Sequence, residues 1–343
     1  MAHRPHLLPV SLLALLALLL LSGCTPKITI EALEPAEISQ AAATQSVAIS
    51  PFERDRVGLA DRLTALMAAY ELHPGERYFR VVERDRIELL LEEQRLQHSG
   101  LVDESKMVEI GRLAGAEALI AGGISSAGSS DSSYREERTE CLERDGRRCV
   151  RERRYSVRCT RREVDLSAQI RMVSIEQGEL IAARSYDEGA AWSHCQDQSG
   201  GLPSVQRGHA LLADRIAQAF VAAITPRFYS YDVELIDKLD VSIPKPYADQ
   251  FDAAIDFIKA DRLDRGKMKL ANLHRSTAGE SYAIAYNLGL MHEADGELEQ
   301  ARALYRHADS IATSPVEAIS AALMRIDRLI TQRDEALSQM GSR

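Results

Sequence analysis

The sequence predicts an α/β (α+β) domain, a single sheet with a helix layer, followed by an all-α domain of helical hairpins. Short apolar runs at 46–52 and 118–125 have the length and composition of buried strands. Alternation of apolar and polar residues over 164–172 indicates a half-buried strand. In the last third of the chain the apolar residues recur at helical spacing, so the fold class changes there.

The first 24 residues predict an exported, lipid-anchored protein. After Arg4 comes an apolar run of fifteen residues, Leu7–Leu21, which is too short to span a bilayer comfortably and fits a secretory signal. The run ends in Leu21-Ser22-Gly23-Cys24, which resembles the lipobox of bacterial lipoproteins and implies lipidation of Cys24. Thr25 stands where retention in the inner membrane would usually need Asp. The resemblance therefore implies an outer-membrane anchor and a protein that faces the periplasm.

Between the predicted strands at 46–52 and 118–125, the sequence pattern predicts helices and a further strand. A stop signal, His73-Pro74-Gly75, follows the first predicted helix, and a strand is predicted at Tyr78–Glu83. Asp85 and Glu88 form a start signal for a further helix. The apolar positions of the first helix are Leu59, Leu63, Leu66, Met67 and Tyr70. This order of elements predicts a helix layer on a sheet.

The second half of the first domain predicts two adjacent strands and a long helix. A turn at Glu176-Gln177-Gly178 joins the strand at 164–172 to a partner strand at 179–186. A helix from about Pro203 to Ile224 closes the domain. Its apolar face includes Leu211, Leu212, Ile216, Phe220 and Ala223.

Four cysteines besides Cys24 are expected to form disulfides, because an exported protein folds in an oxidising compartment. Four thiols allow three pairings. Asp145-Gly146 is a hairpin-turn signal between Cys141 and Cys149, which favours that pair and leaves Cys159 with Cys195. Zinc is the competing interpretation, with His194 as a further ligand. The paired C-x2-C spacing typical of such sites is missing, so we expect no metal. A phosphate-binding glycine loop is also missing, so we expect no other cofactor.

The segment 135–162 carries eleven arginines and six acidic residues, within a chain whose net charge is -9. Nucleic-acid binding would need fewer carboxylates and more stacking aromatics than this segment has, so we expect no nucleic-acid partner. The simplest interpretation is a solvated, salt-bridged hairpin. A sharper hypothesis is a surface that docks an anionic partner, such as lipid phosphate or another subunit, through Arg147, Arg148, Arg151, Arg153 and Arg154.

Part of the first domain resembles a known family. The stretches PAEI at 35–38, VAISPF at 47–52 and RYFRVVERDRIELLLEEQRLQHSGLVDESKMVEIGRLAGAEALIAGGI at 77–124 are similar to the curli assembly and transport (CsgG) family. With the later strand pair and helix, the likeness covers roughly residues 28–226. It implies the CsgG-like fold and a role in assembly or secretion at the cell envelope.

The sequence departs from the channel-forming members of that family. Those members place two amphipathic hairpins per subunit in the outer membrane, and each membrane strand needs about 9 to 11 residues with an apolar lipid-facing row. Here 126–163 carries arginine or glutamate on both faces, and 187–201 has only fifteen residues. We therefore expect a water-exposed arm rather than a pore built by this chain alone.

The last third of the chain resembles tetratricopeptide repeats. Small residues are spaced where two helices touch, with large residues between them. The matching positions are Leu288, Gly289, Gly296, Ala301, Tyr305 and Ala308. A degenerate copy precedes them, with Phe251, Ala254, Ile255 and Ile258 on one helix and Met268, Leu270 and Leu273 on the next, and a final helix is predicted to begin near Pro315.

These observations predict five segments: a signal peptide at 1–23, a lipid anchor, tether and first strand at 24–46, the CsgG-like domain at 47–226 with its insert at 126–163, and the repeat-like domain at 227–343. No catalytic motif is present, so we expect a protein that is not an enzyme. The predicted function is a periplasm-facing outer-membrane lipoprotein that scaffolds or regulates an envelope assembly, through a protein partner or a homo-oligomeric ring. The alternatives are a subunit of a secretion channel and an activator of peptidoglycan synthases.

Overall fold

The computed structural model describes residues 26–82, 112 and 115–341, which fall into two compact units. The helical unit comprises the described residues up to Glu34 together with Phe228–Asp334. The sheet unit comprises the described residues of Pro35–Arg227 and those that follow Asp334. The predicted signal peptide, Cys24 and the helix predicted after Asp85 lie outside the described residues.

The described strands and helices are named here in chain order. They are β1 (Lys27–Glu34), α1 (Ser39–Ala42), β2 (Ser46–Ile49), α2 (Leu59–Ala69), β3 (Glu71–His73), β4 (Glu76–Arg77), β5 (Arg80–Val82), β6 (Ala118–Asp145), β7 (Arg148–Ser174), β8 (Leu180–Cys195), α3 (Val205–Ile224), β9 (Arg227–Glu234), α4 (Lys245–Lys259), α5 (Leu263–Ser276), α6 (Tyr282–Ala294), α7 (Leu298–Ile311) and α8 (Glu317–Met340).

The sheet unit is built on a mixed five-stranded sheet in the order β5-β2-β6-β7-β8. β2 pairs in parallel with β5 and with β6, whereas β6, β7 and β8 are antiparallel. The mixed sheet with helices confirms the predicted fold class of this domain.

Helices α2 and α3 cover one face of the sheet and supply its core. Along β7 the even-numbered residues from Val164 to Met172 are buried and most of the odd-numbered ones are exposed, as the alternation predicted. Gly208 of α3 permits close packing, because a Cβ atom there would lie 2.9 Å from a methyl group of Val164. The helix residues that are fully buried in this core are Leu59, Leu63, Met67, Leu212, Ile216 and Phe220.

Three sequence predictions are wrong in detail. Helix α2 ends at Ala69, and the predicted stop signal at 73–75 instead forms the turn between β3 and β4, because Glu71–His73 pairs back onto the chain. Strand β8 continues to Cys195, nine residues beyond the predicted end, because β7 pairs with it over that whole length. Leu211 and Met268, both predicted on buried helix faces, are 38% and 49% exposed because they lie at the edges of those faces.

The helical unit contains two helical hairpins, α4 with α5 and α6 with α7, followed by α8. Strands β1 and β9, far apart in sequence, form a two-stranded sheet whose residues Ile28, Ile30 and Val233 share one core with the helices. Glycine lets the helices of each hairpin approach closely. A Cβ atom at Gly289 would lie 2.6 Å from the Tyr305 ring, and one at Gly266 would lie 2.3 Å from Ile258.

A buried carboxylate lies at the centre of the helical unit. The side chain of Glu293 is fully buried and forms an ion pair with Arg325, whose Nε lies 2.7 Å away. The hydroxyl of Tyr231 donates a hydrogen bond to the same carboxylate at 2.6 Å, and the hydroxyl of Tyr305 donates another. Burial, reinforced by the neighbouring charge of Glu293, raises the pKa of Tyr305 well above its usual value. These contacts tie β9, α6, α7 and α8 together.

None of the helices in the described part of the chain combines the length and the apolar composition needed to cross a membrane.

Candidate functional site

The insert predicted at 126–163 is a long strand arm that extends directly from β6 and β7. Twenty residues of β6, Ser126–Asp145, continue past the part of the sheet that pairs with β2, and β7 pairs with them throughout. At about 3.3 Å per residue this length corresponds to roughly 60 Å. We call residues 126–163 the arm. Beyond the end of β8 the arm is a two-stranded distal ribbon, residues 135–158.

Two disulfides fasten the arm. Cys159 lies directly opposite Cys195, and their disulfide joins β7 to the last residue of β8. Cys141 and Cys149 are joined near the tip, on either side of the turn at Gly146. This is the pairing that the sequence favoured. Since all four sulfurs are in disulfides, these cysteines offer no thiolate for zinc.

The pairing register shows which residues lie on each of the two faces of the arm. Residues directly opposite on neighbouring strands point to the same face, and successive residues alternate. The disulfide face carries Val157 and Cys159 and their partners Glu136 and Tyr134. The helix-side face continues the buried face of the sheet and carries the even-numbered residues of β7.

Arginines on the disulfide face are neutralised by carboxylates. Arg138 contacts Glu136 at 2.6 Å and Asp197 at 3.1 Å, and the hydrogen bond to Asp197 raises the pKa of its guanidinium. Further along the ribbon, Arg153 contacts Glu140 at 2.6 Å and lies over the ring of Tyr155. The other ion pairs on this face are Arg151 with Glu143 and Arg161 with Glu163.

Arginines on the helix-side face are mostly unpaired. Arg162 binds Asp131 through two hydrogen bonds of 2.6 and 2.8 Å, which lower the pKa of that carboxyl. Within the part of the chain that the structure describes, Arg135, Arg154 and Arg158 have no ion pair. Arg135 lies directly opposite Arg158, so two like charges face each other across the ribbon.

His194 belongs to the helix-side face rather than to the disulfide face. It lies opposite Thr160 on β7, whereas its neighbour Cys195 lies opposite Cys159. Its Nε2 atom is buried and has no hydrogen-bond partner in the described structure. The side chain is therefore directed away from the sulfurs with which the zinc hypothesis grouped it.

The five arginines predicted as one partner surface occupy three places. Arg147 and Arg148 lie at the tip turn, Arg151 and Arg153 on the disulfide face, and Arg154 on the helix-side face. Sequence reasoning did not single out Arg135 and Arg158. The signal was available, because a two-residue turn at 146–147 pairs residues at equal distances from it and so places Arg135 opposite Arg158.

The predicted repeat residues meet at the contact between α6 and α7. Leu288, Ala301, Tyr305 and Ala308 are buried there, and Gly289 lies against the Tyr305 ring. Gly296 lies between the two helices with a φ of 75°, in the left-handed region that favours glycine. The lipidation candidate, Cys24, lies outside the described residues.

Comparison with protein families finds one match. The family model described as "Curli production assembly/transport component CsgG" matches residues 37–202. This range includes the sheet up to β8 and the whole arm. A comparison with curated proteins finds no match.

Solved structures that match this chain include three bacterial proteins. The LpoB C-terminal domain from Salmonella enterica is 11% identical, with 45% of this chain and 95% of that chain covered and a TM-score of 0.26. Lipoprotein GNA1162 from Neisseria meningitidis is 14% identical, with 52% and 95% covered and a TM-score of 0.26. A PelC dodecamer from Paraburkholderia phytofirmans is 10% identical, with 59% and 99% covered and a TM-score of 0.25.

Proposed function

We propose that this chain is a non-enzymatic lipoprotein of the outer membrane that faces the periplasm and holds an envelope assembly together through protein contacts. Its partner is another envelope protein or further copies of this chain arranged as a ring. The observation that carries the proposal is the outer edge of β6, which is unpaired along the arm and unprotected near its base.

The pairing of β6 shows where this edge is open. β7 occupies one side of the strand throughout, whereas β2 pairs with the other side only at 118–120, and Glu53 adds a single bridge at Gly123. From Ser126 onward, the described residues include no strand on that side. The carbonyl of Gly128 contacts His209 Nε2 at 2.8 Å. The remaining backbone groups on this side are available to a partner strand.

The composition of the β6 edge favours pairing with a strand of a partner protein. Proteins usually protect an exposed edge with lysine, proline or other charged side chains, because a bare edge recruits foreign strands. The segment 125–133, SSAGSSDSS, has no proline, and its one charged residue, Asp131, is paired with Arg162 of β7. Small side chains of this kind let another backbone approach closely. The edge therefore fits a strand added by a partner.

Three further observations support the compartment and the class of protein. Two disulfides fit an oxidising periplasm, and the lipobox-like sequence before Thr25 fits an anchored protein. The family match at 37–202 supports an envelope role without catalysis. Both faces of the distal ribbon carry exposed arginines, which disfavours the channel alternative because arginine near a bilayer midplane costs about 2–4 kcal/mol.

The helical unit supports the same role. Its two hairpins and closing helix share one core, and the tetratricopeptide-like spacing at 288–308 corresponds to their closest contacts. We propose that this unit is a repeat-like module that contributes a second protein-binding surface.

The test places charge on the edge of β6. The variant Ser130→Lys with Ser132→Lys adds two lysines to the unprotected strand, and a matched control, Gln177→Lys with Ser199→Lys, adds the same charge in turns. Chemical crosslinking in intact cells, followed by electrophoresis and mass spectrometry, measures which proteins join the chain. We expect the edge variant to lose the crosslinked species that wild type and control retain. Unchanged crosslinking in the edge variant would refute docking at this edge.

A further inference from the structure

The helix-side face of the arm contains a cluster of hydrogen-bond donors that has no ion pair within the described residues. Arg135 and Arg158 lie opposite each other, and the adjacent row toward the base contains Ser133, Thr160 and His194 on three consecutive strands. From the register, the Cβ atoms of the two arginines are about 5 Å apart. Five side chains that can donate hydrogen bonds therefore converge on one side of the ribbon.

We propose that this cluster is a binding site for a phosphate group. A phosphate placed between Arg135 and Arg158 would accept paired hydrogen bonds from both guanidinium groups, which are planar forks suited to such oxygens. It would also remove the cost of holding two like charges opposite each other. The hydroxyls of Ser133 and Thr160 and the unpartnered Nε2 of His194 supply further donors.

The surrounding charges leave the cluster positive. Toward the base, Asp131 is already engaged by Arg162 through two hydrogen bonds. Toward the tip, Glu137 adjoins the cluster on the same face, and Arg154 lies in the row beyond Glu137. Glu152 occupies the row beyond Arg154, so this face carries two carboxylates and three arginines that have no ion pair in the described structure. The opposite face of the ribbon differs, because Arg138, Arg151 and Arg153 there each contact a carboxylate.

The backbone around the cluster is held in place. The disulfide between Cys159 and Cys195 lies next to Arg158 in sequence, and the backbone N–H of Gln196 donates a hydrogen bond to the Arg158 carbonyl at 3.1 Å. The site therefore lies where β8 ends and the three-stranded arm becomes a two-stranded ribbon. A fixed backbone lowers the entropic cost of binding, because the ligand does not have to order the strands. This inference does not depend on strand pairing at the edge of β6.

The experiment is calorimetric titration of the full-length protein in neutral detergent. The probes are inorganic phosphate and a short-chain phosphatidylglycerol, compared in wild type, in Arg135→Gln with Arg158→Gln, and in the control Arg151→Gln with Arg153→Gln. The control removes the same charge from the opposite face. We expect the site variant to weaken binding by about tenfold or more, because charge-assisted hydrogen bonds are lost. The control should change binding by less than about twofold, because solvent screens distant charges.

The two probes distinguish the sources of the phosphate group. Binding of inorganic phosphate assigns the site to soluble phosphate compounds, and binding of phosphatidylglycerol alone assigns it to a lipid headgroup. Either result supports the proposal when the site variant abolishes it. Absence of binding to both probes, or an equal loss in the control variant, would overturn it. Crosslinking that survives in the site variant would show that protein docking is a separate property.

Discussion

Two glutamate–arginine pairs in this molecule have the same chemistry and opposite surroundings. In the helical unit, Glu293 is fully buried and receives hydrogen bonds from Arg325 and from two tyrosines. On the arm, Glu140 and Arg153 are in contact at 2.6 Å, but their side chains are 48% and 58% exposed. Burial determines how much each pair contributes to stability, because a buried charge whose partner is removed cannot be solvated by water.

The two pairs are expected to contribute differently to stability. Exposed pairs contribute little, so the charges on the arm can be changed at small cost. The arm is instead held by disulfides, which require no apolar core. In the helical unit the buried pair lies within a continuous core, and removal of one partner would leave the other charge unsatisfied.

The largest expected effect comes from breaking the buried pair. Glu293→Ala leaves the Arg325 guanidinium without its carboxylate in a nearly dry environment. We expect the free energy of unfolding to fall by about 3–5 kcal/mol. Urea unfolding followed by far-ultraviolet circular dichroism measures the change.

Two further variants test whether burial is the cause. The double variant Glu293→Leu with Arg325→Met removes both charges and should recover most of the loss. On the arm, Arg153→Gln should lower stability by less than about 1 kcal/mol. Equal losses in Glu293→Ala and Arg153→Gln would show that exposure does not separate the two pairs.

Removing the arm's disulfides should have an intermediate effect that differs between them. The loop closed by Cys159–Cys195 spans 36 residues, whereas that closed by Cys141–Cys149 spans 8. Loop entropy predicts losses of about 4 and about 2.5 kcal/mol for the two Cys→Ser pairs. Trp192, the single tryptophan, lies in β8 and reports unfolding of the sheet unit by fluorescence. A larger loss at the tip than at the base would contradict the loop-length argument.

The sequence predicted those elements in which one face is buried and the pattern is unambiguous. The alternation at 164–172 gave the buried half of β7, and the apolar run at 118–125 gave the first part of β6. It did not reveal that each strand continues without interruption into the arm. Charged residues on both faces remove the periodic signal, and pairing with a neighbouring strand, which the sequence does not display, extends the strands.

The sequence also did not predict the pairing of β1 with β9. β1 and β9 pair although Thr29 and Asp232, which share a hydrogen bond of 2.8 Å, are 203 residues apart. The opposed arginines of the candidate site follow from the hairpin register, which could be predicted from the turn at Gly146. The sequence could not predict that these arginines have no carboxylate partner in the described structure, because this depends on which side chains are close in space.

The smallest expected effect concerns a third kind of polar group, a half-buried histidine without a counter-ion. Burial, followed by the neighbouring charge of His307, lowers the pKa of His274, and its Nδ1 has no hydrogen-bond partner in the described structure. In the unfolded chain this histidine binds a proton near its ordinary pKa of about 6.5, whereas the folded state resists protonation until a lower pH. The unfolded state therefore binds more protons as the pH falls below about 6.5. Stability from this group is present above that pH and is lost below it.

We expect the urea midpoint of the wild type to fall between about pH 7 and pH 5, the range in which an unfolded histidine becomes protonated. His274→Phe keeps an aromatic ring beside His307, whose ring centroid lies 5.4 Å away, and should flatten this dependence. An unchanged pH dependence in His274→Phe would contradict this assignment. It would also separate His274 from Glu293, because burial removes solvation from both groups.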